Sequence, residues 1–287
     1  MKKFGIVLLS SVCLLAACAQ STTKDTSASN TEQVSQTLSD EVLEQATADY
    51  KAFVEDQIQG LLEDTQAWAE TLKAGDLEKA KADYPIIRMA YERSEPIAES
   101  FGESDVKIDF REVDYVEENG SDEGWVGFHR IEKILWTENT TKGTEVYADQ
   151  LVNDIKELKA KIATIEVSPD LMLTGAVDLL NEVATTKITG EEEIFSHTDL
   201  YDFRANIEGA EEIFKLFRKS IQEKDKELVQ QLDKEFKTVN ELLDQYMTDD
   251  KNYKLYTELT KEDTTKLAEA VTKLGEPLSR MGIILEQ

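Results

Sequence analysis

The sequence predicts an all-α protein, and three observations carry that prediction. Glycine and proline are scarce, 13 and 4 in 287 residues, while the strong helix formers Ala, Leu, Glu and Lys are abundant. No stretch sustains the apolar/polar alternation that a half-buried strand needs. Leu151, Ile155, Leu158, Ile162 and Ile165 recur four and three apart, the seam of a helix packed in a bundle.

The chain begins with Lys2 and Lys3, then the apolar runs Phe4 to Leu9 and Val12 to Ala17. This is a charged n-region and an h-region too short for an ordinary membrane span. Leu15-Ala16-Ala17-Cys18 looks like a bacterial lipobox. The expectation is a signal peptide at 1–17 and a lipidated Cys18, held on the outer face of the cell membrane by its acyl chains. Cys13 leaves with the signal peptide, so no disulfide is expected and packing must supply the stability. Residues 19–40 are rich in Ser, Thr and Gln and nearly free of large apolar groups, which reads as a flexible tether.

The helical domain is expected at 41–287. Ser39 or Asp40 can cap a first helix carrying Val42, Tyr50, Val54, Ile58, Leu61 and Trp68, and Gly75 ends it. Asp76 caps a second, read from Leu77 to about Phe101 and containing Pro85 and Pro96. Residues 102–123 form a polar connection with a short helix near Phe110 to Val116. From Trp125, the apolar residues Phe128, Ile131, Leu135 and Trp136 mark another helix. The seam helix follows at about 144–166. Ser168-Pro169 is a helix start and divides the domain into halves at about 41–167 and 168–287. Helices are read at about 170–188, 224–247 and 262–285, and the segment Ile194 to Ala210 leads into Ile213, Phe214 and Phe217.

The charge balance is strongly acidic: 59 Asp and Glu against 32 Lys and Arg, a formal net charge of −27. Such a surface repels phosphate backbones, which argues against nucleic acid as a partner. It attracts cations broadly, although most of these carboxylates read simply as a solvated surface.

Chemistry concentrates around the helix after Trp125. His129 and Glu132 are three apart, so their side chains lie on adjacent turns of one face. An imidazole and a carboxylate so placed can grip one metal ion or bond each other. The other histidine, His197, precedes Thr198-Asp199, a cap region. Trp68, Trp125 and Trp136 read as core or as walls of the site.

Three ordered stretches resemble one family. They are Tyr91-Glu92-Arg93-Ser94-Glu95-Pro96, Gly127-Phe128-His129-Arg130-Ile131-Glu132-Lys133, and Ser196-His197-Thr198-Asp199-Leu200-Tyr201-Asp202-Phe203 with Ala205-Asn206-Ile207-Glu208-Gly209-Ala210. Together they are similar to the imelysin-like domain of EfeO/EfeM iron-uptake lipoproteins, over about 43–287. The resemblance implies two packed four-helix bundles, a metal site around the HxxE helix, and work with a membrane iron permease and a haem peroxidase of the same uptake system. Residues 19–40 are too short for the cupredoxin domain that EfeO proteins carry, so the chain resembles the shorter EfeM type.

Within that resemblance, Glu92 and Asp202 are candidates to complete a metal site begun by His129 and Glu132. Glu92 can instead pair with Arg93 or Arg130, and Asp202 can cap a helix. His197, Asp199 and Arg93 are read as supporting the ligands or capping, with a direct place at the metal as the alternative. Iron is the expected metal, with zinc or copper as alternatives, since imidazole suits all three and carboxylates suit hard cations. An unperturbed histidine would make binding weaken near pH ~6.5. A metallopeptidase is the competing reading, but position 130 is Arg and 133 is Lys, so neither HExxH nor its inverse is present. A polysaccharide-binding or adhesin lipoprotein is the third, and its mark would be an aromatic-lined groove. No catalytic residue is assigned.

Overall fold

A computed structural model describes the backbone of residues 26–285 and side-chain environments of residues 41–285 apart from Glu99. The expected signal peptide, Cys18 and the first residues of the tether lie outside the described residues. Among those described, ten α-helices carry the fold. The one β pairing among the described residues is an isolated bridge between Met247 and Tyr253. None of the described helices is long and apolar enough to cross a membrane.

Helix α1 spans Thr26–Ala74. It starts well before Ser39, because neither Gly nor Pro interrupts the chain between Ala19 and Gly60. Tyr50, Val54, Ile58, Leu61, Trp68 and Leu72 form its buried stripe. Gly75, at φ +81°, ends it. The Asp76 carboxylate accepts from the Lys79 N–H at 3.1 Å and caps α2, Leu77–Glu92. The indole of Trp68 donates to the Ala80 carbonyl at 2.9 Å and ties the two helices together.

Helix α2 runs through Pro85 but stops at Glu92, short of the expected Phe101. The chain turns at Ser94 and continues as a 3-10 segment, Glu95–Phe101. Pro96 offers no N–H and disfavours a helical residue before it, which breaks the α geometry here. The polar connection holds two short helices, α3 (Glu103–Asp109) and α4 (Glu112–Asn119). Helix α5 is only Phe128–Lys133 and opens into a π turn at Ile134–Glu138. The seam helix is α6, Glu145–Ile162.

The second half is four long helices. They are α7 (Pro169–Thr185), α8 (Asp199–Lys224), α9 (Lys226–Asp244) and α10 (Lys261–Leu285). Helix α10 packs on α7 and α9, and α8 on α9 and α7. Before α7 the long helices are α1, α2 and α6, while α5 is a short segment continued by its π turn and packed on α6. A single apolar core runs through both halves.

The halves meet where α2 crosses α8 and the 3-10 segment lies on α7. Two glycines allow this approach. A Cβ on Gly209 would stand 2.4 Å from the Arg93 carbonyl oxygen, and one on Gly175 would stand 1.7 Å from that of Pro96. The close approach carries the polar face of α2 into the interior, against the start of α8.

Candidate metal centre

Tyr84, Arg88 and Glu92 are successive fourth residues of α2 and share one face. That face is buried and polar. Arg88, Glu92, Glu132 and Glu193 are each 0 % exposed and His129 is 2 % exposed. So many buried ionisable groups are costly unless they satisfy one another.

His129 and Glu132 enter from α5. Gly127 makes that entry at φ +92°, where a Cβ would lie 2.5 Å from the Ile108 carbonyl oxygen. The Nδ1 of His129 lies 3.2 Å from Oε2 of Glu132. The other oxygen of Glu132 accepts from the backbone N–H groups of Phe195 (3.1 Å) and Ser196 (2.7 Å). Burial, then the neighbouring Glu193, pushes the Glu132 carboxyl well above its ordinary range. Burial and then Arg88 hold the His129 ring well below 6.5. The ring is therefore neutral near pH 6.5, and the expected titration there is displaced.

The far nitrogen, Nε2, has no hydrogen-bond partner although it is buried. It stands 3.7 Å from Oδ1 of Asp109, the last residue of α3. Asp109, His129 and Glu192 bring one donor atom each within 4.8 Å of one another, and so do His129, Glu132 and Glu193. The two sets differ in how far their acids are already engaged. Glu193 accepts from Tyr84 at 3.2 Å and Ser196 at 2.9 Å, and lies 2.6 Å from Nε of Arg88. Glu132 is bound on both oxygens. Asp109 is in contact with Nη1 of Arg88, while Glu192 meets only distant cations, Arg111 at 3.5 Å and Lys187 at 3.6 Å.

Asp109 and Glu192 also line a cavity of about 330 Å³. Five further carboxylates line it, from Glu95, Asp105, Asp114, Asp178 and Glu182, against one cation, Arg111. Phe110 is the one aromatic among its lining residues, so the cavity is not the aromatic groove expected of a sugar binder.

The other expected residues fall into different roles. Glu92 is ion-paired, with Arg88 and with Lys187 (3.1 Å), rather than with Arg93 or Arg130. Burial opposes its charge, but Lys187 and Arg88 outweigh burial and hold its carboxyl well below the usual range. Asn206 donates to its carboxylate (2.9 Å) and to its carbonyl (3.1 Å). Arg93 pairs with Glu208 at 2.7 Å, and Arg130 lies over the rings of Trp125 and Tyr147. Asp202 sits 3.6 Å from Nε of Arg88, inside the network. Neither Glu92 nor Asp202 joins a three-residue metal group among the described residues.

His197 works through its backbone. At φ +60° it donates N–H to Glu193 (2.7 Å) and accepts from the Tyr256 N–H (2.8 Å). Asp199 accepts from the Glu193 N–H at 3.3 Å, which shapes the turn presenting Glu192 and Glu193. Burial, then Glu193, pushes its carboxyl up to about 7.

Arg88, Asp109, Glu192 and Glu193 were not singled out by sequence. Arg88 did leave a signal, a lone charge in the apolar run Tyr84 to Tyr91. The acids left none among 59.

By class this is an all-helical imelysin-domain protein: the family model described as Imelysin (Peptidase_M75) matches residues 46–281. A relative from Staphylococcus haemolyticus (strain JCSC1435), named Efem/EfeO family lipoprotein, is 49% identical over 290 residues, spanning 100% of both chains. Relatives of the same name from Staphylococcus aureus strains MSSA476 and NCTC 8325 are 48% identical over 245 residues, 85% of this chain and 86% of theirs. The chain belongs to the Efem/EfeO family of imelysin-domain lipoproteins.

Proposed function

We propose that this protein is a membrane-anchored, extracytoplasmic lipoprotein that captures iron cations and passes them to a membrane permease. The observation carrying this reading is the unpartnered Nε2 of His129, buried beside Asp109 and Glu192, two of the acids that line the cavity. If Nδ1–H donates to Glu132, Nε2 keeps its lone pair for a metal, the usual arrangement around a metal-bound histidine. His129, Asp109 and Glu192 then supply one nitrogen and two carboxylates, a donor set suited to iron. Glu132 orients the ring.

The alternative set, through Nδ1 with Glu132 and Glu193, draws on two engaged acids, whereas in the preferred set only Asp109 is held, by Arg88, and Glu192 is loosely held. Seven carboxylates around the cavity favour a hydrated cation over an anionic chelate such as ferric citrate. The relatives' family name and the lipobox ending at Cys18 support the anchored placement, and the resemblance supplies the permease and the haem peroxidase as partners.

A peptidase reading would need an open metal position and a free general base. Glu132, the acid beside His129, is bound on both oxygens. Binding is therefore the better account than hydrolysis.

Calorimetric titration of the purified chain with Fe²⁺ under anaerobic conditions tests the proposal. Saturable binding that His129→Ala weakens at least about tenfold, or about 1.4 kcal/mol, supports it. Equal binding by a folded His129→Ala variant refutes the site.

A further inference from the structure

The buried centre contains a positive charge of its own. Arg88 is 0 % exposed, and its fork reaches carboxylates in three directions. Nη1 contacts Asp109, Nη2 contacts Glu92, and Nε lies 2.6 Å from Glu193 and 3.6 Å from Asp202. A lysine ammonium, a compact point charge, could not span these positions at once. The guanidinium also lies against the rings of Tyr84 and Phe128, at 5.9 and 5.7 Å from their centroids. It is walled in and fully buried.

Arg88 therefore holds the carboxylate a metal would need. Asp109 is its partner and also the acid nearest the free Nε2 of His129. We propose that the Arg88 guanidinium is the centre's resident counter-ion, and that the cargo cation binds in competition with it for Asp109. This rests on the metal-binding reading above and goes beyond it, since it assigns a residue that sets affinity without being a ligand.

The physical argument has two parts. Buried carboxylates are unstable without a nearby cation, so Arg88 holds the centre together when no metal is bound. A metal ion binding Asp109 then brings a second positive charge beside the first, in an interior where charges are poorly screened. The repulsion weakens binding. A carrier that must surrender its ion gains reversibility from this competition.

The test compares Mn²⁺ binding by wild type, His129→Ala, Arg88→Gln and Arg88→Lys full chains, by calorimetry and by thermal melting. Mn²⁺ is a redox-stable neighbour of Fe²⁺ in ligand preference. Arg88→Gln removes the charge and is expected to bind Mn²⁺ at least about tenfold more tightly than wild type. It should also melt lower without metal and gain more from adding it. Arg88→Lys keeps a charge and should remain closer to wild type than Arg88→Gln.

Unchanged or weaker binding by Arg88→Gln, while wild type binds through His129, overturns this inference and leaves the metal site standing. Arg88→Lys binding more tightly than Arg88→Gln also overturns it. If Arg88→Gln is unfolded without metal, Mn²⁺ must restore its helical circular dichroism, and failure to do so counts against the inference. No His129-dependent binding by wild type removes both readings together.

Discussion

The Nε2 atom of His129 faces Oδ1 of Asp109 across 3.7 Å, and neither solvent nor a hydrogen bond satisfies the imidazole nitrogen. An orphaned buried nitrogen is a cost the fold tolerates. A metal between the two atoms would turn that cost into a bond. The two residues of the HxxE motif point to different neighbours, Nε2 of His129 toward Asp109 and Glu132 toward Nδ1 and the backbone N–H groups of Phe195 and Ser196.

The first prediction follows from that difference. His129→Ala and Asp109→Asn should each weaken iron or Mn²⁺ binding by at least about tenfold. Glu132→Gln should weaken it by about tenfold through misorientation of the ring. Glu193→Gln should change it least, because Glu193 belongs to the set on the Nδ1 side. Calorimetry of the four folded variants decides the order, and a loss for Glu193→Gln exceeding that for Asp109→Asn would reassign the site to Nδ1. The His129 ring should contribute no step in wild-type affinity near pH 6.5, because burial keeps it neutral well below that value.

The second concerns Asp199. Its carboxyl is raised from 3.8 to about 7 in the folded protein. Between those values the folded state holds a proton that the unfolded chain has lost. Stability from this group is therefore full at low pH, falls as pH rises, and is lost above about pH 7. Asp199→Asn carries no such penalty, so its stability relative to wild type should increase from about pH 4.5 to about pH 7.5. The shift sets a ceiling of about 4 kcal/mol, and a gain on the order of 2 kcal/mol is expected. Urea unfolding of the metal-free proteins at both pH values measures it, and a pH-independent difference would contradict the assignment.

The third tests the junction of the halves. Gly209→Ala forces a methyl group to within 2.4 Å of the Arg93 carbonyl oxygen unless α2 and α8 separate. The expected cost is about 1–3 kcal/mol in unfolding free energy. Because Glu92 and Asn206 meet beside this contact, metal affinity should fall as well. A variant as stable as wild type would show that the helices can part freely.

The fourth addresses the anchor. Cys18→Ser removes the acceptor for lipid and should release the protein from membranes or leave it unprocessed. Cell fractionation and gel mobility provide the readout. Membrane retention with wild-type mobility is the outcome that rules the lipobox out.

Much of the helical layout was legible without coordinates. The seam at 151–165 is α6, Ser168-Pro169 opens α7, and the periodicity after Lys261 is α10. Helix propensity and apolar spacing act within one element, so a single chain displays them. Two ends were misplaced. The start of α1 lies at Thr26, in a stretch with neither Gly nor Pro to break it. The end of α2 lies at Glu92, where the Pro96 effect prevailed over the continuing apolar pattern.

By itself the sequence determined the all-α class, the acidic surface and the pairing of His129 with Glu132, because each is written in composition or in spacing along one helix. Tertiary structure decided which acids share the interior with them. Asp109 arrives from the end of α3, and Glu192 and Glu193 from a turn before α8, positions separated along the chain by tens of residues. Tertiary structure also decided that Glu92 and Asp202 lie beside Arg88. A carboxylate's role depends on the charge that packing places beside it, and with 59 acids in the chain no local pattern distinguishes a buried one from a solvated one.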